Sequence, residues 1–152
     1  MAKQFENYME EAFLEAGFAQ DRGEVPVGAV IVDPKTKKII ARSGNQVMEL
    51  KDPTGHAEIQ AIREACSILR SERLPGFDLY VTLEPCAMCA TAISFARLRR
   101  LYFGAEDLKM GGVLNGPKIF SNPNCHHAPE VYDGMGAARA KKLMQDFFKA
   151  KR

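Results

Sequence analysis

Apolar residues recur at helical spacing through Phe5, Tyr8, Met9, Ala12, Phe13 and Ala16, with Glu6, Glu10, Glu11 and Glu15 between them. The pattern predicts an amphipathic first helix that ends near Gly17. A polar turn at residues 20–24 leads into VGAVIV, residues 27–32, a run apolar enough for a buried strand. The turn DPKTK at residues 33–37 then introduces a second strand, residues 38–42, expected to lie antiparallel to the first.

Asp52-Pro53-Thr54-Gly55 interrupts the chain before a long helical pattern. There Ala57, Ala61, Ala65 and Ile68 form one line and Ile62, Cys66 and Leu69 the next. LYVTL at residues 79–83 predicts a third strand, and Pro85 opens another helix through Ala87, Ala90, Ala92, Ile93 and Ala96. Residues 98–103 predict a fourth strand closed by Gly104. Residues 109–124, rich in Gly, Pro and Asn, predict a long loop. Residues 130–132 suit a short edge strand, since Pro129 has no N–H for a ladder, and residues 137–150 form the last helix. Strands alternate with helices, so the expected fold is α/β: one domain, residues 1–152, with a sheet of about five strands covered by helices.

Composition changes this picture little. The chain has 152 residues, 46% of them apolar and 26% charged, which is enough for one hydrophobic core and argues against disorder. The net charge is only +2, so nothing global points to nucleic acid. The distribution is uneven, however. Arg139, Lys141, Lys142, Lys149, Lys151 and Arg152 face only Asp146, leaving +5 on this tail and −3 on the rest. Such a tail suits either a phosphate-contacting helix or a solvated helix with a favourably basic end. The N-terminal residues are acidic and amphipathic, unlike a secretory signal, and no apolar run approaches a membrane span. A cytoplasmic protein with no membrane partner is expected. In that reducing setting the four cysteines favour metal binding or free thiols over disulfides.

The candidate chemistry sits at two predicted helix starts. His56-Ala57-Glu58 opens one, and Pro85-Cys86-Ala87-Met88-Cys89 opens the other. A zinc ligand must be a thiolate, and a helix N-terminus lowers thiol pKa through its partial positive charge and free N–H groups. Cys-x-x-Cys alone also fits a redox pair or half of a structural zinc site. The redox reading leaves His56 and Glu58 without a role. A closed structural site wants a fourth ligand. Cys66 lies on an apolar stripe, and Cys125, His126 and His127 are most simply loop or packing residues. His56, Cys86 and Cys89 with an open fourth position match the catalytic pattern for zinc, which can lower the pKa of bound water to about 7. Glu58 then suits a proton shuttle, beyond its bland role as an acid in a first helical turn.

H-x-E followed by P-C-x-x-C resembles the signature of the cytidine deaminase superfamily. The wider wording is similar to its bacterial tRNA-specific adenosine deaminases: Glu24 to Val30 (EVPVGAV), Asn45, Asp52-Pro53-Thr54 and Thr82-Leu83-Glu84-Pro85-Cys86. Ala96-Arg97, Phe103-Gly104-Ala105 and Asp146-Phe147-Phe148-Lys149 continue the likeness, which runs from about Tyr8 to Arg152. The resemblance implies a three-layer α/β/α fold with a mixed sheet, one zinc ion per chain, and a homodimer that converts adenosine to inosine in a tRNA anticodon stem-loop. It implies that Asn45 binds the target base, that Pro85 and the backbone around Glu84 shape the pocket, and that Lys109, Phe147, Phe148 and Arg152 lie near the RNA. Two departures stand out: Gly55 precedes His56 where the resemblance leads to Ala, which would loosen that turn, and Glu106 stands where a basic residue is expected. A deaminase of free bases or nucleosides, of guanine or cytidine type, and a non-catalytic zinc-stabilised RNA-binding module are the competing readings.

Overall fold

The computed structural model describes the backbone of residues 2–151 and the side chains of residues 7–151. Its sheet holds five strands in the order β2-β1-β3-β4-β5. Strand β1 (Gly28–Asp33) pairs antiparallel with β2 (Lys38–Gly44) on one side and β3 (Asp78–Leu83) on the other. Strand β4 (Arg100–Ala105) runs parallel to β3, and β5 (Glu130–Tyr132) parallel to β4 at the edge. The sheet is therefore mixed, as expected.

Period-two alternation sends the strand side chains into two cores. Ala29, Ile31, Leu79, Val81, Leu101 and Phe103 face helices α3 (Ala57–Leu69) and α4 (Ala87–Phe95). Val30, Val32, Tyr80 and Tyr102 face helices α1 (Ala2–Asp21) and α5 (Ala137–Ala150). Both faces being covered explains why β1 and β3 read as continuous apolar runs. On the second face Tyr80 and Tyr102 stack with centroids 4.3 Å apart, and Tyr102 stacks on Tyr132 at 5.1 Å.

Several boundaries differ from the sequence pattern. Helix α1 passes through Gly17 to Asp21, because Ala16 and Ala19 both bury against the sheet and the chain turns only at Gly23, whose φ is 83°. Strand β4 runs through Gly104 to Ala105; there a Cβ would lie 2.5 Å from the Thr82 carbonyl, so the glycine permits close approach and does not end the strand. Helix α4 begins at Ala87 with Cys86 as N-cap, leaving Pro85 ahead of the helix with its carbonyl accepting from Gly112 N–H at 2.8 Å. Ile68 and Leu69, the last members of the two apolar lines of α3, are exposed at its end. The short helix α2 (Val47–Leu50) has no counterpart in the sequence pattern.

Candidate metal centre and active site

His56 is the N-cap of α3 and Cys86 the N-cap of α4, each extended in backbone conformation. Cys89 sits in the first turn of α4, fully buried. The two helices pack on one face of the sheet, so their starts converge. His56 Nδ1 lies 3.6 Å from Cys86 Sγ and 3.6 Å from Cys89 Sγ, and all the donor atoms fall within 4.8 Å of one another. Tetrahedral zinc, with Zn–S near 2.3 Å and Zn–N near 2.1 Å, sets nitrogen and sulfur about 3.6 Å apart. The donor set and its spacing therefore fit zinc, with Nδ1 as the ligating nitrogen.

The charge distribution agrees. A hydrogen bond from the Cys89 thiol, joined by one from His56, brings the Cys86 thiol down to about 4. That bond and burial push the Cys89 thiol upward, while the bond with Cys86 raises His56. The lowered Cys86 thiol favours the thiolate form that a zinc ligand must take.

Glu58 follows in the first turn of α3. Only 4% of it is exposed, and burial pushes its carboxyl up to about 7. It lies on the wall of an open cleft of about 1740 Å³, together with His56, Cys86 and Asn45. Asn45 is itself buried, and its side-chain amide makes no hydrogen bond within the described residues, leaving it available to a ligand in the cleft. Lys109, Phe147 and Phe148 line the same cleft, with Phe147 buried and Phe148 exposed. Arg152 lies outside the described residues.

Of the two residues expected to shape the pocket, Glu84 lines the cleft and Pro85 does not. Pro85 is buried behind the wall and is absent from the cleft lining. Glu84 borders the cleft but turns its carboxylate away into the loop beyond β4. There it accepts from the N–H groups of Asp107, Val113, Leu114 and Asn115 and from Asn115 Nδ2, all between 2.7 and 3.1 Å. Burial alone would raise its pKa, but these bonds outweigh that and hold it below the usual carboxylate value. A Cβ at Gly111 would collide with the Glu84 carboxylate.

Gly55 does not loosen its turn. Gly55 N–H donates to Asp52 O at 3.0 Å, its carbonyl accepts from Gln46 N–H at 2.8 Å, and a Cβ would meet Gln46 and Asp52 backbone atoms at 3.1–3.2 Å. Glu106 is exposed at the cleft rim, where its carboxylate accepts from Asn115 Nδ2 at 3.2 Å. Cys66 packs against the core. Cys125 and His127 act as packing groups: Ser94 Oγ donates to His127 O at 2.6 Å, the Cys125 thiol donates to the same carbonyl at 3.1 Å, and His127 Nε2 donates to Leu98 O at 2.6 Å. Cleft residues that the sequence did not assign to the site include Glu24, Met48, Leu108 and Met110. The last three are exposed apolar side chains in irregular or very short segments, where periodicity gives no signal.

Residues 2–105 match the cytidine and deoxycytidylate deaminase zinc-binding region. The chain belongs to this zinc-binding deaminase family. Among its relatives in the family, the tRNA-specific adenosine deaminase of Agrobacterium fabrum is 56% identical over 146 residues, covering 96% of this chain and 95% of that one. A solved tRNA A34 deaminase, from work on A-to-I editing at the wobble position, superposes with a TM-score of 0.88 at 57% identity, covering 90% of this chain and 98% of its own. The guanine deaminase of Bacillus subtilis has a TM-score of 0.65 at 33% identity, covering 84% of this chain and 83% of its own. The likeness thus extends well beyond the motif, over the fold as a whole.

Proposed function

We propose that this chain, acting as a single deaminase domain over residues 1–152, converts adenosine to inosine at the wobble position of a tRNA anticodon stem-loop. One observation carries the chemistry: a buried carboxyl, Glu58, shares the wall of an open cleft with His56 and Cys86, two of three converging zinc donors. Bound zinc supplies a Lewis acid that makes hydroxide available from water at neutral pH.

Glu58 does the proton work. As a carboxylate it accepts a proton from the attacking water; as an acid it returns protons to the purine ring nitrogen and to the leaving amine. Water oxygen replaces the amino group at C6, and ammonia departs. A pKa near the working pH lets one group serve in both directions. The free amide of Asn45 holds the base edge, and Phe148 offers an exposed ring for a neighbouring nucleotide.

The tRNA-specific relatives support the choice of substrate, as does the cleft. At about 1740 Å³ it exceeds the roughly 300–1,000 Å³ of small-ligand pockets. Its rim carries Lys109, Lys141, Lys149 and Lys151, none held in an ion pair among the described residues, whereas Arg139 is tied to Glu10 at 2.7 Å and Lys142 to Asp146 at 3.0 Å. The basic tail thus divides, and its unpaired members face the cleft. Glu58 speaks against a non-catalytic zinc module, which has no use for a buried acid there.

Free-base deamination draws on the 33% identity to a guanine deaminase. The two readings separate in one assay of zinc-loaded protein on a wobble-adenosine stem-loop and on free guanine, cytidine and adenosine. Inosine in the stem-loop alone is expected; ammonia from a free base or nucleoside alone would overturn the RNA assignment. A homodimer is proposed with this function, on the exposed Phe95 of α4 and the openness of the cleft. Sedimentation velocity giving a monomer at micromolar protein would contradict it. No helix among the described residues is long and apolar enough to cross a membrane, and a cytoplasmic location is proposed alongside the tRNA substrate.

A further inference from the structure

Glu24 is 1% exposed, yet no cation pairs with it among the described residues. Burying an uncompensated carboxylate is costly, so its hydrogen bonds must answer for its place. Both go to one segment. The Glu24 carboxylate accepts from Met48 N–H at 3.2 Å and from Glu49 N–H at 2.7 Å. No side chain caps the short helix α2 from within, since Gln46 makes no capping bond. Glu24 supplies that cap from more than twenty residues away.

The same segment is gripped from its other side by Arg22. Its Nε lies 3.3 Å from the Glu49 carboxylate, and its Nη2 donates to the Asn45 carbonyl at 3.3 Å. Asn45 N–H in turn donates to Val27 O at 3.0 Å. Residues 45–49 are thus tied at both ends to the stretch 22–27, and Asn45, Val47 and Met48 line the cleft. Elsewhere on the cleft, Glu84 holds the loop of residues 107–115 by the same device, a buried carboxylate collecting backbone N–H groups.

We infer that Glu24 is a positioning residue of the active site: its carboxylate fixes the wall that presents Asn45 to the target base, as Glu84 fixes the loop of residues 107–115. The inference rests on the reading of this cleft as the place where that base is held. Glu24 touches no reacting atom; it acts through Asn45.

The test is a double-mutant cycle on the zinc-loaded protein with the wobble-adenosine stem-loop. Glu24→Ala is expected to lower kcat about 10–100-fold, the scale of a misplaced substrate-positioning group, with zinc content unchanged. Glu24→Gln keeps an oxygen acceptor and is expected to recover most of that loss. In an Asn45→Ala background, Glu24→Ala should cost no more than about threefold, because the group it positions is gone. Equal losses in both backgrounds would overturn the inference. Should Glu24→Ala fold poorly, Glu24→Leu, which keeps the bulk and removes the acceptor, carries the cycle.

Amide hydrogen exchange at Met48 and Glu49 gives a readout independent of substrate. Faster exchange confined to that segment is expected in Glu24→Ala, which lacks the acceptor, and unchanged exchange there would overturn the inference. Inactivity of the wild-type protein on the stem-loop, with faster exchange still seen in Glu24→Ala, would refute the RNA reading alone.

Discussion

At the scale of single residues, the zinc donors and Glu58 were legible in the sequence because their chemistry is local. Two helix starts carrying His, Glu and paired cysteines identify themselves by spacing, and the fold had only to bring two such starts together. Cys89 is the least exposed of the donors and sits within 3.6 Å of His56 Nδ1. Cys89→Ala should therefore abolish stoichiometric zinc, checked by elemental analysis of protein purified without added metal; full zinc occupancy would remove Cys89 from the ligand set. Asn45 was singled out through resemblance alone, and its free amide now gives a physical reason. Asn45→Ala should reduce kcat/KM about 10–100-fold, the scale of one missing hydrogen bond in a desolvated site, while zinc stays bound. Glu24 was not legible. An acid next to Val25-Pro26-Val27 acquires meaning only when the fold brings Met48 and Glu49 against it.

At the scale of elements, the strands and long helices followed from period, and their ends did not. Gly17 and Gly104 looked like terminators, but burial of Ala19 and the closeness of Thr82 to Gly104 decided those boundaries, and both are tertiary facts. Helix α2 is too short for periodicity to register. The loop of residues 109–124 reads as irregular, yet its first part is ordered by a single carboxylate. Removing the Glu84 acceptor leaves the N–H groups of Val113, Leu114 and Asn115 without it. Glu84→Ala should then cost about 2–4 kcal/mol of stability, measured by denaturant unfolding, given about 1–3 kcal/mol for each buried group left unsatisfied and partial access of water. A pH dependence follows from the depressed Glu84 pKa. The folded value lies below the ordinary 4.5, so the stabilisation is fully present above that pH and fades as the pH falls through the folded value. The gap in thermal midpoint between wild type and Glu84→Gln should accordingly be widest near pH 6 and shrink towards pH 3. A constant gap would place the stabilisation elsewhere.

At the scale of the whole molecule, net charge conceals the feature that matters. A total of +2 says nothing about RNA, while the division of the C-terminal helix into paired and unpaired basic residues does. The sequence showed the charges, but only the packing of α5 showed which of them face the cleft. Replacing Lys141, Lys149 and Lys151 with Ala should raise KM for the stem-loop and leave kcat nearly unchanged. The slope of log KM against log salt should flatten by about 0.7 for each RNA phosphate that these lysines neutralise. An unchanged KM would return these lysines to a solvated face.

The central claim is that one buried carboxylate beside three zinc donors performs the deamination. The most direct measurement is inosine formation by Glu58→Ala on the wobble-adenosine stem-loop, with zinc content and thermal midpoint determined on the same sample. We expect zinc and fold to persist while turnover falls by about 10²–10⁴-fold, the usual contribution of a positioned acid–base group. Full activity in a zinc-replete Glu58→Ala protein would contradict the account.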